Sequence, residues 1–228
     1  LGAGLTIVLG LVSQAKTVGD LLNPHYFVNF IDFNVIFLLV SMMIIVNITT
    51  RSGVFSYIAN ELLKLTKGHP ILILMMISIF TAVVSAFLDN VTTVILVMPI
   101  TFAIARKLDL DPVPFLLSEV FASNIGGTAT LIGDPPNIII GSAAGFTFMD
   151  FVNNLTGIII IVLFAAIGFM VIMFRDKLNT TDDKMDEVAE IDNSHTITDK
   201  NLMIRSLIVL GLVILGFVTH DVTHIETC

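Results

Sequence analysis

ILILMMISIFTAVVSAFLDNVTTVILVMPITFAIA, residues 71 to 105, holds two apolar arms that meet at Asp89-Asn90 with no polar loop between them. A bilayer core about 30 Å thick takes roughly 20 apolar residues of helix. Two full spans would have to turn within two residues, whereas a re-entrant hairpin would place Asp89-Asn90 at its tip. The expectation is a hairpin over residues 70–106, its second arm bent at Pro99, since proline removes a helical hydrogen bond and clashes with the preceding turn.

The next segment reinforces this. Pro112 and Pro114 suit a helix start, and residues 112 to 125 continue as an apolar helix until Gly126-Gly127-Thr128-Ala129-Thr130-Leu131-Ile132-Gly133-Asp134-Pro135-Pro136-Asn137. Three glycines and two adjacent prolines forbid a continuous helix, so residues 112–149 read as one crossing broken in the middle, with helix resuming at Ile138. Non-helical backbone at membrane depth is tolerated only where protein buries it or water reaches it.

The rest of the chain has the same solvent. Hydrophobic residues make up 55% and charged residues 13%, against about 25% charge in a soluble domain, and the mean hydropathy is +0.95. Asn34 to Ile48, Leu155 to Phe174 and Leu202 to Thr219 are long enough or nearly so to cross a membrane, and Leu1 to Val12 reads as the tail of another span. Ser52 to Leu65, beside Arg51, Glu61 and Lys64, fits a helix at the interface. The fold class is therefore an all-α, polytopic membrane protein. Its expected parts are N-terminal scaffold helices (1–50), an interfacial helix and loop (51–69), a transport region (70–150), a transmembrane helix (151–175), an acidic loop (176–200) and a further transmembrane helix (201–228).

Eight of the nineteen acids lie between Asp176 and Asp199, so the net charge of -8 is local. Eleven basic residues without a cluster leave no footprint for nucleic acid. Ten of them, Arg51, Lys64, Lys67, Arg106, Lys107, Arg175, Lys177, Lys184, Lys200 and Arg205, fall on one face of the expected topology, with Lys16 alone opposite. That face is expected to be cytoplasmic, and two full spans in place of the hairpin give the same parity. The only cysteine, Cys228, excludes an internal disulfide. The chain opens on Leu1-Gly2-Ala3-Gly4 without a signal peptide, and both ends read as truncations.

An aspartate near the bilayer centre costs about 2.5 to 3.5 kcal/mol on insertion scales, so Asp89 invites a role. Ser85 lies four residues earlier on the same helical face, and Asn90, Thr92 and Thr93 add oxygens around the tip. Such a cluster suits a dehydrated Na⁺, or a proton on a carboxylate whose pKa burial would raise. The plainer alternative is that Asp89-Asn90 caps the helix beginning at Val91, and capping and ion binding can coexist. In the break, Asn124, Thr128, Asp134 and Asn137 stand beside unwound carbonyls and helix ends of the kind that hold ions in transporters. The alternative is an extramembrane loop of ordinary turn residues.

Other chemistries fit poorly. The glycine spacing of 127 to 133 suggests a phosphate loop, but Asp134 stands where that motif requires lysine. His220 and His224 have metal-like spacing with Asp221 alongside, yet they lie past the last span and lack further ligands. His25, His69 and His195 also lie outside the spans. An intramembrane aspartyl protease would need Asp89 and Asp134 close enough to share a proton, and nothing in the sequence joins them.

Ser85-Ala86-Phe87-Leu88-Asp89-Asn90-Val91-Thr92-Thr93, then Asn124-Ile125-Gly126-Gly127, then Ile132-Gly133-Asp134-Pro135-Pro136-Asn137 resembles the ion transporter superfamily. The resemblance is closest to the ArsB/NhaD permease group that includes the P protein, with citrate and dicarboxylate transporters as relatives. It implies two inverted-topology repeats, each with a re-entrant hairpin and a discontinuous helix, of which this chain carries one, and it implies a homodimer in the plasma (inner) membrane. By the same resemblance Ser85, Asp89, Asn90, Gly126 and Gly127 would bind the cation, while Asn90, Thr92, Thr93, Asn124, Thr128, Asp134, Pro136 and Asn137 would face the solute. Dicarboxylate carriers have Ser-Asn-Thr at the hairpin tip and Thr in place of Asp134. Two carboxylates here oppose a free dicarboxylate and suit a cation, a neutral hydroxide such as arsenious acid, or citrate as a metal complex.

The expected function is secondary active transport of a small inorganic ion or polar solute, as in Na⁺/H⁺ exchange or arsenite efflux. The coupling ion is Na⁺ or H⁺ and no other cofactor or metal is expected. Partners are lipid and solute, and no enzyme activity is expected. A citrate or dicarboxylate symporter is the alternative, and a protease or non-transporting scaffold the rival of another class.

Overall fold

The computed structural model describes residues 33–181, 185 and 197–223; the side chains of 34, 62, 63, 218 and 220–223 are not among them. The expected span at Leu1 to Val12, Lys16, His25, Lys184, His195, His224, Cys228 and most of the acidic loop lie outside the described residues, as do the side chains of His220 and Asp221.

Among the described residues every regular element is helical. In chain order these are α1 (Phe33–Arg51), α2 (Val54–Leu65), α3 (Pro70–Ser85), α4 (Asn90–Leu108), α5 (Val113–Gly127), α6 (Pro135–Ala144), α7 (Phe148–Phe174), a 3₁₀ turn (Arg175–Lys177) and α8 (Lys200–Thr223). Asn90–Leu108, Phe148–Lys177 and Lys200–Phe217 are long and apolar enough to cross a membrane. Val35–Arg51 and Val54–Glu61, bent by 60° where Ser52 and Gly53 separate them, form a fourth candidate span together. The chain is a polytopic membrane protein.

The distribution of apolar surface fits lipid as solvent. Large side chains such as Ile158, Ile161, Phe164, Phe169 and Ile172 on α7 are exposed, an excess that water would not tolerate. The interior instead collects small polar residues. Ser78, Thr81 and Ser118 are buried and donate to Leu74 O, Ile77 O and Pro114 O at 2.7 to 2.8 Å. Each hydroxyl is satisfied within its own helix, so α3 and α5 can bury these faces without an orphaned donor.

The bundle is centred on α3, whose most extensive partner is α5; α4 and α7 also pack on α5. Gly126 permits the closest approach, because a Cβ there would overlap the backbone carbonyl of Ala82. α2 lays Val54, Phe55 and Ala59 into a core with Ile77, Phe80, Val84, Leu96 and Val97. Its apolar stripe is thus covered by α3 and α4.

At 16 residues, α3 extends about 24 Å at 1.5 Å per residue, short of the hydrocarbon core. Only Ala86 to Asp89 separates it from α4, which runs as one helix through Pro99. The break between α5 and α6 is shorter than expected, covering 128 to 134 and not 126 to 137. Gly126 and Gly127 finish α5, and Pro135 and Pro136 open α6 where expectation resumed helix at Ile138. The reason is the donor inventory of a helix start: its first amides have no intrahelical acceptor, so two prolines cost nothing there. α7 likewise starts at Phe148, ahead of the apolar block at Leu155, because Thr147 and Asp150 form a reciprocal capping box.

Candidate ion and solute site

The hairpin turn and the helix break meet. Asn90, first residue of α4, donates from Nδ2 to Asp134 Oδ2 at 3.0 Å and to Asn124 Oδ1 at 3.4 Å. Its Oδ1 accepts from Ser85 Oγ at 2.7 Å, and Ser85 Oγ also lies 2.8 Å from Ser123 O. A hydroxyl has one proton, so the Ser85 hydroxyl faces two acceptor oxygens with one donor. With the hydroxyl itself, the two acceptors bring three oxygens together at a fully buried serine.

The break is held by its own side chains. Asn137, first non-proline residue of α6, is buried and donates to Gly127 O at 3.0 Å and Thr130 O at 2.8 Å. Thr130 donates to Ala86 O in the hairpin turn and accepts from Gly133 N at 3.1 Å. Gly133 packs against Gly127 and Ser85 so closely that a Cβ would lie 2.8 Å from Ser85 O. The unwound backbone is therefore largely buried and hydrogen-bonded. Ser123, Thr130 and Gly133 were not among the residues expected at the site; only side-chain identity inside the glycine-rich segment hinted at Thr130.

Not every expected residue joins this cluster. Asp89 caps α4, its Oδ1 accepting from Thr92 N at 2.9 Å, so the capping role is real and is what places Thr92. Thr93 is fully buried and its Oγ1 has no hydrogen-bond partner. Thr128 bonds back to Asn124 O at 2.8 Å. Gly126 O accepts from Ala129 N at 3.0 Å, and Gly127 O is the Asn137 acceptor. Each carbonyl keeps a second lone pair. Pro136 is exposed on the first turn of α6.

Helix ends set the electrostatics. A free helix amino end attracts anions through unpaired N–H groups, but α6 begins with two prolines that have no N–H, its first N–H, that of Asn137, donates to Asp134 O at 2.9 Å, and the residue at its N-cap position, Asp134, is an acid. Anion binding at that end is disfavoured by the sequence itself.

The CitMHS family, described as citrate transporter, matches residues 1–228. This chain belongs to that family. CitMHS relatives include an uncharacterized transporter of Mycobacterium tuberculosis, 42% identical over 225 residues that cover 99% of this chain and 51% of the relative. The 46 kDa membrane protein of Mycobacterium leprae is 41% identical over 98% of this chain and 51% of its own length. The mouse P protein is 36% identical over 77% of this chain and 22% of the relative. The CitMHS chain thus spans about half the length of its mycobacterial relatives. The resemblance to the ion transporter superfamily, P protein included, is confirmed by these matches.

Proposed function

We propose that the intact protein is a secondary active transporter that binds Na⁺ or H⁺ where hairpin and break meet, and moves a small solute beside it. The reading is carried by the Asn90 to Asp134 hydrogen bond, which joins two sequence motifs 44 residues apart at one half-buried polar point. Such a junction lets one ion pull on two segments at once, so ion occupancy and backbone arrangement are coupled. The short α3 and the four-residue turn favour a re-entrant hairpin.

The solute reading follows from charge. Asp89, Asp134 and the blocked amino end of α6 disfavour a free anion, which leaves an inorganic cation or a neutral hydroxide as the first reading. The second is citrate, favoured by the family description; a divalent metal bound to it would offset the two carboxylates. Full-length protein in proteoliposomes separates these, with uptake of citrate measured with and without Mg²⁺ beside Na⁺/H⁺ exchange and arsenite flux. Asp89→Asn keeps a good helix cap, so it should insert normally and lose ion-driven flux. Normal coupled flux by that variant would remove Asp89 from the ion site.

A further inference from the structure

Glu119 is the acid that the site above does not use. It sits in the middle of α5, a helix packed on α3, α4 and α7, with 0% of its surface exposed. Thr101 of α4, itself 1% exposed, donates to its Oε1, while Oε2 has no partner. An unpaired buried charge is far more costly than an unpaired neutral hydroxyl, so the question is what neutralises it.

Among the described residues no cation faces it. α3 carries no titratable residue; α4 has Arg106 and Lys107 only in its last turn, five and six residues beyond Thr101, and Asp89 at its opposite cap. α5 holds no other charge, and on α7 only Asp150, in the first turn, is titratable. Asp111, Arg175, Asp176 and Lys177 lie outside these helices.

The surroundings are polar on the side of the hairpin. Ser123 follows Glu119 by one turn on the same face of α5, and its carbonyl lies 2.8 Å from Ser85 Oγ, which reaches Asn90. Thr93, two turns before Thr101 on α4, carries another buried oxygen without a partner. Two of the three buried oxygens without a partner among the described residues, Glu119 Oε2 and Thr93 Oγ1, thus belong to the packed pair α5 and α4, and Thr93 lies one turn from Asn90 of the candidate ion site; the third, Thr50 Oγ1, is at the end of α1.

The geometry points to Glu119 as a proton-carrying site inside the bundle, separate from the hairpin tip, with Thr101 holding one carboxyl oxygen and the proton on the other. The step is proton transfer alone: an O–H bond of a solvent hydronium breaks, the Oε2–H bond forms, and a neutral water molecule is left behind. Alternate loading and release of this proton would supply the H⁺ side of the coupling, a role that rests on the transporter reading.

The test separates the two. In full-length protein, the infrared C=O stretch of a protonated carboxyl should be present at neutral pH, shift in D₂O and vanish in Glu119→Gln. Thr101→Val, which leaves the carboxyl in place, should move that stretch. In proteoliposomes, Glu119→Gln should lose the pH dependence of uptake. The proposal is overturned if Glu119→Gln leaves the protonated band intact, if Thr101→Val does not move it, or if Glu119→Gln keeps the native pH profile. Native protein that shows the band yet moves no solute would instead end the transporter reading and leave the proton site standing.

Discussion

Asn90 Nδ2 lies 3.0 Å from Asp134 Oδ2, so the first residue of α4 holds the cap of α6. The same amide group accepts from Ser85, and through it three helices share one side chain. Asn90→Ala removes these two bonds and the one to Asn124, and strips Asp134 of its donor. A hydrogen bond to a charged group contributes about 1.5–3 kcal/mol, so solute or ion affinity is expected to fall about 10- to 100-fold, read by binding calorimetry or flux. Asn90→Asp sets a carboxylate against Asp134 and should be worse than alanine; equal behaviour would show that the amide is not the link.

Gly126→Ala tests the packing that brings α3 and α5 together. The added methyl would overlap Ala82 O, which is backbone and cannot rotate away. Overpacking of this kind costs about 1–3 kcal/mol, seen as a lower unfolding temperature in detergent. Gly157→Ala on α7 is the control: nothing lies within 4 Å of its added Cβ, and it should be neutral or stabilise by about 0.5–1 kcal/mol through helix propensity.

Asn137→Ala leaves the carbonyls of Gly127 and Thr130 without the amide that now joins them. Each buried group left unpaired costs about 1–3 kcal/mol. The break is expected to open before the bundle unfolds, detected as faster amide exchange over residues 127–134 with little change at α3. Uniform destabilisation would mean that Asn137 supports the whole core.

Thr147→Ala removes the hydroxyl that accepts from Asp150 N at 3.2 Å and donates to Asp150 Oδ2 at 3.0 Å. Loss of such a cap costs about 0.5–2 kcal/mol. Thermal stability should fall accordingly while ion-driven flux stays native, because the cap lies outside the polar cluster.

Much of this was legible in the chain. Lipid as solvent follows from blocks such as Leu155 to Phe174, and the discontinuities follow from Asp89-Asn90 and from Gly126 to Pro136, since glycine and proline act locally on the backbone. Helix limits were less legible. Prolines 135 and 136 read as breakers, and only the geometry of a helix start made them its first turn. Glu119 was not among the expected site residues although a lone acid in an apolar helix is a default functional candidate; unlike the two interruptions, it leaves the helical pattern of α5 unbroken.

Composition and order therefore determined the class of solvent, the all-helical architecture and the two points where helix had to fail, because each depends on side-chain transfer energy or on backbone freedom within a few residues. Which residues meet across those points was decided by tertiary structure alone. Ser85, Asn90, Asn124 and Asp134 converge only because Gly126 lets α5 settle against Ala82 of α3, and contacts between segments tens of residues apart leave no periodic trace in sequence.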